Sequence, residues 1–228
     1  MERMGHPGAD GDPVLLHYPL QGSFRARNSP ARRVPSHGTD LMGTTYAIDL
    51  VPVDAGGRPA PRTWRSMVAT EPAEDFIGFG APVLAPAAGV VVIAHDGEED
   101  HAARRSQLAL LPYMAGQAQR LRHGPGAVAG NHVVIALGAG GPFVLVAHLR
   151  RSSLRVDVGT RVRVGQPIGE CGNSGNSTQP HVHVQVTDST EWPSARGLPI
   201  AFWTAEGVEL PAESQLVVVP RTGRAAAG

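Results

Sequence analysis

Two histidines, His181 and His183, are separated by one residue in the alternating segment His-Val-His-Val-Gln-Val. Because residues i and i+2 of a β-strand project from the same face, the two imidazoles are expected to lie side by side. Imidazole is a common zinc ligand, and a neighbouring imidazole can act as an acid or a base near neutral pH. A turn rich in Gly, Asn and Ser, residues 172–180, leads directly into this pair and favours a backbone shaped around a functional site.

Three further residues have side chains suited to such a site. His148 ends the segment Phe-Val-Leu-Val-Ala-His, Asp49 lies inside the apolar run Tyr-Ala-Ile-Asp-Leu-Val, and His37 precedes a glycine shortly before that run. A buried carboxylate requires a charged or hydrogen-bonding partner, or a metal. Taken singly, each residue also has a structural interpretation, as a turn-capping aspartate or a histidine that only makes a hydrogen bond.

Short apolar and β-branched segments, bounded by Gly, Pro or Asp, predict a mainly β, antiparallel fold that would position these residues. The predicted strands are Thr45–Val51, Val90–His95, His132–Leu137, Phe143–Leu149, His181–Val186, Ile200–Trp203 and Leu216–Val219, with alternating strand segments across Leu154–Gly169. Val14–Tyr18 is a candidate edge strand, and Gly22–Pro35, rich in Arg and Pro, is predicted to be an extended connection.

Two segments interrupt the strand pattern. Residues 55–74 form a loop rich in Pro and Arg, and residues 98–122 contain a helix-capable stretch that Pro112 would kink or split. We expect both segments to be insertions that frame a groove.

The composition argues against several classes of protein. Twenty basic and twenty acidic residues give a net charge of zero, which disfavours nucleic-acid binding. The single cysteine, Cys171, cannot form an intrachain disulfide or a cysteine-based zinc site and is expected to be a buried apolar residue. No apolar run is long enough to span a membrane, and residues 1–12 lack the apolar core of a secretory signal.

The longest motif runs from His148 to His183. After Ala-His-Leu come Val-Asp-Val-Gly-Thr-Arg-Val-Arg-Val-Gly-Gln-Pro-Ile-Gly and Gly-Asn-Ser-Gly-Asn-Ser-Thr-Gln-Pro-His-Val-His. This order resembles the patterns HL, V-x-x-G-x-x-V-x-x-G-Q-x-I-G and G-x-S-G-x-S-T-x-P-H-x-H of the lysostaphin/LytM-type zinc endopeptidases, peptidase family M23. Upstream, residues 80–91 and 130–135 are similar to the family's G-T-P-V hairpin and G-N-x-V-x-I strand, so the resemblance covers roughly residues 36–188.

The resemblance implies an antiparallel β-sheet or sandwich of the LytM (duplicated hybrid motif-like) type, with a groove open to an extended peptide. It implies that His183 is a metal ligand, and that His148 and His181 are a non-ligand pair that handles protons and polarises the transition state. It also implies one zinc ion per chain, a peptide substrate such as peptidoglycan, and a place in the cell envelope or outside the cell. The candidate substrate contacts in the turn are Asn173, Ser177 and Thr178. The sequence leaves the oligomeric state open.

This chain departs from the family's first motif, H-x-x-x-D, in which both residues are ligands. When Asp49 is aligned with the end of that motif, Thr45 stands where the histidine would be. The nearest upstream histidine is His37, and ligands need only converge in space. We therefore expect His37, Asp49 and His183 to hold the metal, with Asp40 in His-Gly-Thr-Asp as the competing aspartate for the same motif.

These observations divide the chain into three parts. Residues 1–35 are expected to form an N-terminal extension, residues 36–205 an M23-like metallopeptidase domain, and residues 206–228 a C-terminal strand and tail. The insertions within the domain are placed at about residues 55–74 and 98–125.

Other functions stay open on the sequence alone. A non-catalytic member of the same fold would bind peptidoglycan or regulate another cell-wall hydrolase. The V-x-x-G-x-x-V-x-x-G-Q segment also suggests a biotinyl or lipoyl carrier domain, but the chain has no lysine to carry the group. A small-molecule-binding β domain with an incidental metal is a third class. A serine hydrolase using Ser174 is disfavoured, because the loop of that serine leads into the two-histidine strand.

Overall fold

Strands dominate the computed structural model, which describes residues 11–104 and 125–221. In chain order they are β1 (Val14–Leu16), β2 (Gly22–Arg27), β3 (Ile48–Pro52), β4 (Pro82–Leu84), β5 (Gly89–His95), β6 (Asn131–Ala136), β7 (Phe143–Leu149), β8 (Arg161–Val162), β9 (Pro167–Glu170), β10 (Val182–Thr187), β11 (Ile200–Thr204), β12 (Gly207–Glu209) and β13 (Leu216–Val219). The helices of the described residues are α1 (Arg65–Val68), α2 (Pro125–Ala129) and two 3-10 helices, Leu41–Tyr46 and Ala73–Asp75. Neither α-helix has the length or the apolar character needed to cross a bilayer.

Eight strands form the main sheet in the order β13-β2-β3-β10-β7-β6-β5-β8, and each neighbouring pair is antiparallel. Two smaller sheets have the orders β1-β11-β12, with β1 parallel to β11, and β4-β9. The mainly β, antiparallel fold expected from the sequence is confirmed. Strands β2 and β13, from the two flanks of the chain, belong to the same sheet as the central strands.

The two faces of the main sheet differ in chemistry. On β10, Val182, Val184 and Val186 are buried in the main hydrophobic core. His183 and Gln185 alternate with these valines and therefore project from the opposite face. Alternation along the central strands thus gives one face to the core and leaves the other for a site.

Most strands predicted from alternation are confirmed, with small shifts at their ends. The predicted strand Thr45–Val51 starts later, because Thr45 lies in the 3-10 helix and β3 begins at Ile48. The segment Leu154–Gly169 contributes only β8 and part of β9. Cys171 is fully buried in the core, as expected. The helix-capable stretch of the second insertion lies outside the described residues.

The prediction of an extended connection over Gly22–Pro35 is wrong for its first part, which is strand β2 between β3 and β13. Phe24 and Ala26 are fully buried, whereas Arg25 and Arg27 alternate with them on the outer face. A half-buried strand needs apolar residues only at every second position. The arginines at the other positions of β2 made this segment resemble a polar connection.

Candidate metal centre

The candidate site lies on the open face of the main sheet, where three strands bring functional side chains into one row. In the register of the sheet, Asp49 on β3 is opposite His183 on β10, and His183 is opposite Ala147 on β7. Neighbouring strands lie about 4.8 Å apart. The sheet itself therefore fixes the carboxylate and one imidazole as direct neighbours.

His37 completes a cluster with these two residues, although it comes from the loop before β3. One donor atom from each of His37, Asp49 and His183 lies within 4.8 Å of the other two. Oδ1 of Asp49 is 2.9 Å from Nδ1 of His183 and 3.3 Å from Nε2 of His37. The competing residue, Asp40, is exposed and does not belong to this cluster.

The ring of His37 is oriented by the hydroxyl group of Ser36. That hydroxyl donates its hydrogen to the carbonyl oxygen of Thr44 at 3.1 Å, so it can only accept from Nδ1 of His37, which is 3.0 Å away. Nδ1 of His37 therefore carries the hydrogen. In the neutral ring the lone pair of Nε2 then faces Asp49, whereas in the protonated ring Nε2–H donates to Oδ1 of Asp49.

The ring of His183 is oriented by Gln185 on the same strand face. The amide nitrogen of Gln185 donates to the carbonyl oxygen of Met42 at 2.8 Å, which turns its Oε1 towards Nε2 of His183 at 2.9 Å. Nε2 therefore carries the hydrogen, and in the neutral ring Nδ1 presents a lone pair to the carboxylate of Asp49. Two acceptor atoms then face each other at 2.9 Å, an arrangement that requires a cation or a shared proton between them.

Asp49 is held from its other side by Asn28, whose Nδ2 donates to Oδ2 at 2.7 Å. This bond leaves Oδ1 to face the imidazoles of His37, His181 and His183. Burial by itself would raise the pKa of the Asp49 carboxyl, but the charges of His181 and His37 hold that pKa well below its ordinary value. The carboxylate is therefore ionised at neutral pH, as a metal ligand must be.

His148 reaches the open face through an irregularity in β7. The register pairs Leu149 with Asn131 and Val146 with Val133, so Ala147 and His148 together face a single residue of β6. His148 has a φ of 62°, in the left-handed region that few residues other than glycine adopt. Such a β-bulge redirects a side chain, and here it breaks the alternation that would send His148 into the core.

The rings of His148 and His181 lie side by side, with centroids 4.7 Å apart. Nδ1 of His148 donates to the carbonyl oxygen of Ser174 at 2.9 Å, and Nδ1 of His181 donates to that of Gln179 at 2.8 Å. Nε2 of each imidazole therefore points away from these backbone carbonyls, and that of His181 lies 3.4 Å from Oδ1 of Asp49, within ion-pair distance.

The two imidazoles differ in electrostatic surroundings. Burial, together with the charges of His181 and His183, lowers the pKa of His148 well below its ordinary value. Burial also disfavours the charged form of His181, but the carboxylate of Asp49 outweighs it and raises the pKa of His181. The pair therefore combines one imidazole that stays neutral with one that protonates readily.

The turn before β10 supports both of these histidines. Ser174 is fully buried, and its hydroxyl donates to the carbonyl oxygen of Leu149 and accepts from the backbone N–H of Asn131. Ser177 is also buried and lies 3.1 Å from Nδ1 of His181. Asn173 is buried, with its amide donating to the carbonyl oxygen of His101 at 2.6 Å. Of the three candidate substrate contacts, Thr178 lines the open pocket, whereas Asn173 and Ser177 lie behind it.

A pocket of about 350 Å³ opens above the cluster. Its lining includes all five histidine and aspartate residues predicted from the sequence, namely His37, Asp49, His148, His181 and His183. The orienting residues Asn28, Ser36 and Gln185 were not predicted. Gln185 follows His183 by two positions and could have been found by the same alternation. Asn28 lies far from Asp49 in the sequence, and no sequence pattern links the two residues.

Comparison with known proteins is consistent with this geometry. The sequence model described as peptidase family M23 matches residues 73–194, which include His148, His181 and His183 but not His37 or Asp49. No curated protein sequence matches the chain.

Several solved structures are similar in fold at low sequence identity. The catalytic domain of the antimicrobial peptidase lysostaphin from Staphylococcus simulans is 20% identical, with 70% of this chain and 86% of that chain covered and a TM-score of 0.38. A mutant catalytic domain of a prophage-encoded M23 protein from Enterococcus faecalis is 20% identical, with 62% and 94% covered and a TM-score of 0.35. A zinc-containing peptidase from Vibrio cholerae is 19% identical, with 76% of this chain but only 37% of that chain covered and a TM-score of 0.38.

Proposed function

The chain belongs to peptidase family M23, and we propose that it is a zinc-dependent endopeptidase that hydrolyses peptide bonds in peptidoglycan cross-bridges or stem peptides. The observation that carries the proposal is the convergence of three acceptor atoms, from His37, Asp49 and His183, on one point. Their hydrogen-bond partners leave the lone pairs directed at that point and hold the rings in place.

The donor set fits zinc better than it fits the hard cations. Two imidazole nitrogens and one carboxylate oxygen are typical of zinc, whereas calcium and magnesium prefer ligands made of oxygen alone. Zinc bonds of about 2.0–2.1 Å at a tetrahedral angle require ligand atoms about 3.3 Å apart. The separation of 3.3 Å between Asp49 and His37 matches this requirement, whereas the 2.9 Å between Asp49 and His183 is shorter and lies at hydrogen-bond distance. Three protein ligands also leave a position for water or substrate, as in catalytic sites.

A bound zinc ion supplies a Lewis acid that polarises the peptide carbonyl and makes a water molecule more acidic. The protein supplies the proton handling, through Nε2 of His148 and Nε2 of His181, the second of which also faces Asp49. One imidazole accepts a proton from the attacking water and delivers it to the leaving amine. The other, when protonated, donates a hydrogen bond to the oxyanion that develops on the carbonyl. Ser174 and Gln179 keep both rings in the required orientation.

Zinc content and hydrolysis test the proposal together. Elemental mass spectrometry of protein purified without chelator is expected to find about one zinc per chain in the natural protein. His37→Ala should lose it, and His17→Ala, which removes an exposed histidine outside the site, should retain it. The zinc-loaded natural protein should release new amino groups from peptidoglycan, and a chelator should stop this release. Zinc binding without hydrolysis of peptidoglycan or its peptides would support a non-catalytic member of the family, and zinc retained in His37→Ala would refute the ligand assignment.

A further inference from the structure

An apolar surface begins one strand away from the metal cluster. Ala147 and Leu145 on β7 are opposite His183 and Gln185 on β10, and they project from the same open face of the sheet. Both are buried and pack with Val134 of β6 and Ala129 of α2 in a small cluster separate from the main core. The spacing of neighbouring strands puts this surface about 5 Å from the ligand row.

Trp192 forms the outer wall of this surface. It lines the pocket together with Ala129 and Leu145, is half-buried, and packs against the same small cluster. The ring of His132 supports it edge-on from behind, with centroids 6.0 Å apart. The indole is therefore held between the sheet and the pocket.

The loop that carries Trp192 is closed by its own hydrogen bonds. At its base, the backbone N–H of Asp188 donates to the carbonyl oxygen of Arg196, and the N–H of Arg196 donates to Oδ1 of Asp188 at 2.8 Å. Immediately after Trp192, the N–H groups of Ser194 and Ala195 both donate to the carbonyl oxygen of Glu191 at 2.9 Å. The position of the indole is thus set before any ligand arrives.

The other described residues of the pocket lining are uncharged. The 3-10 helix and the loop before it contribute Thr39, Leu41, Met42 and Thr44 from the opposite side. Among the described residues that line the pocket, Asp49 is the only one with a formal charge apart from the imidazoles, and that charge is committed to the cluster. A charged substrate side chain would therefore lose water next to Trp192 without gaining a partner among the described residues of the lining, which is costly.

We infer that the surface formed by Ala129, Leu145, Ala147 and Trp192 is a specificity subsite that takes a small or medium apolar side chain next to the scissile bond of an otherwise uncharged, extended peptide. The inference rests on the proposed function, because it assumes that the scissile bond lies above the metal cluster. A glycine would leave the half-buried indole of Trp192, which is the accessible part of this surface, in contact with water, and an aspartate or glutamate would bring to it a charge that no described residue of the lining pairs. The site therefore selects Ala or Leu at this position over Gly, and either of these over an acidic residue.

The test uses blocked Gly-rich peptides that differ only at one central position, occupied by Gly, Ala, Leu or Asp. The zinc-loaded natural protein is expected to cleave the Leu peptide with a kcat/KM roughly 10- to 100-fold above that of the all-Gly peptide, with Ala between them and Asp lowest. Trp192→Ala should lower kcat/KM for the Leu peptide far more than kcat/KM for the all-Gly peptide, so that most of the advantage is lost, and Trp192→Phe should retain it. The matched control is Trp203→Ala, because Trp203 is 45% exposed on β11 and lies outside the pocket.

Equal cleavage of the Leu and Gly peptides, efficient cleavage of the Asp peptide, or an equal loss for all peptides in Trp192→Ala would overturn the subsite. If no peptide were cleaved, the proposed activity would fail, but calorimetric binding of the same peptides would still decide the subsite. Tighter binding of the Leu peptide than of the Gly peptide, lost in Trp192→Ala and kept in Trp203→Ala, would support it. Equal binding of the two peptides would refute it.

Discussion

Oε1 of Gln185 lies 2.9 Å from Nε2 of His183, two residues away on the same face of β10. The amide of Gln185 cannot rotate without breaking its bond to the carbonyl oxygen of Met42, so its orientation is fixed by the 3-10 helix. The strand and the 3-10 helix together therefore determine which nitrogen of His183 is available to a metal.

Gln185→Leu should weaken zinc binding about 10- to 100-fold, because His183 would lose the acceptor that fixes its orientation. Competition with a fluorescent zinc chelator would measure the affinity. Gln166→Leu is the matched control, since Gln166 lies in a surface turn away from the site. An unchanged zinc affinity in Gln185→Leu would show that packing alone orients the ring.

His148→Asn should keep the metal and lose the reaction. Asparagine tolerates a positive φ, and its side-chain amide can still donate to the carbonyl oxygen of Ser174, but it offers no second nitrogen to the substrate. We expect normal zinc content and a rate of peptide hydrolysis lower by roughly 10²–10⁴-fold. Loss of zinc from this variant would contradict the division between ligand and non-ligand histidines.

Gly175→Ala should destabilise the turn before β10 more than a positive φ alone explains. A Cβ at Gly175 would lie 2.3 Å from the backbone nitrogen of Gly130, whereas one at Gly159 would meet nothing within 4 Å. Both glycines have a positive φ, so each alanine costs about 1–2 kcal/mol in backbone strain. The clash should add about 1–3 kcal/mol for Gly175→Ala alone, measured as the free energy of unfolding in urea. An equal decrease in the free energy of unfolding for Gly175→Ala and Gly159→Ala would mean that the turn at Gly175 shifts to accommodate the added Cβ.

The metal-free protein should lose stability on mild acidification, partly through His132. Burial lowers the pKa of His132 below its ordinary value of 6.5, while its Nδ1 donates to the carbonyl oxygen of Gly130 at 2.7 Å. Below pH 6.5 the unfolded chain binds a proton that the folded chain does not. The free energy of unfolding therefore decreases as the pH is lowered, until the pH reaches the pKa of His132 in the folded chain.

His132→Asn isolates this contribution, because asparagine can replace the Nδ1 donor and does not titrate. Each unit of pKa difference is worth about 1.4 kcal/mol. Urea unfolding at about pH 7.5 and about pH 5.5 should therefore show a smaller pH dependence for His132→Asn than for the natural protein. Identical pH dependence in both proteins would assign the effect to other groups.

Alternation in the sequence was sufficient to predict the side of the sheet on which His183 and Asp49 lie. Both residues interrupt runs of Val, Ile or Leu whose other members are buried, so their opposite orientation follows from the period of the strand. The position of His37 beside them could not follow from any period. It depends on the path of the loop before β3, which Ser36 fixes through contacts with Thr44.

The orientation of His148 also lay beyond sequence reasoning. Strict alternation along β7 would put His148 on the same side as Val144 and Val146, which are buried in the core. The bulge reverses this order, so that Leu149 enters the core and His148 faces the site. A local change of register leaves no mark in the amino-acid types of a single strand.

Because of the bulge at Ala147 and His148, deletion of one residue could alter the site without unfolding the protein. Deleting either residue would restore a regular ladder between β6 and β7 and still leave a buried, well-paired strand. The ladder hydrogen bonds would persist, but deletion of His148 would remove an imidazole of the pocket, whereas deletion of Ala147 would leave that imidazole on the open face. Loss of the single codon for His148 would therefore leave a folded chain without the imidazole on which the proposed reaction depends.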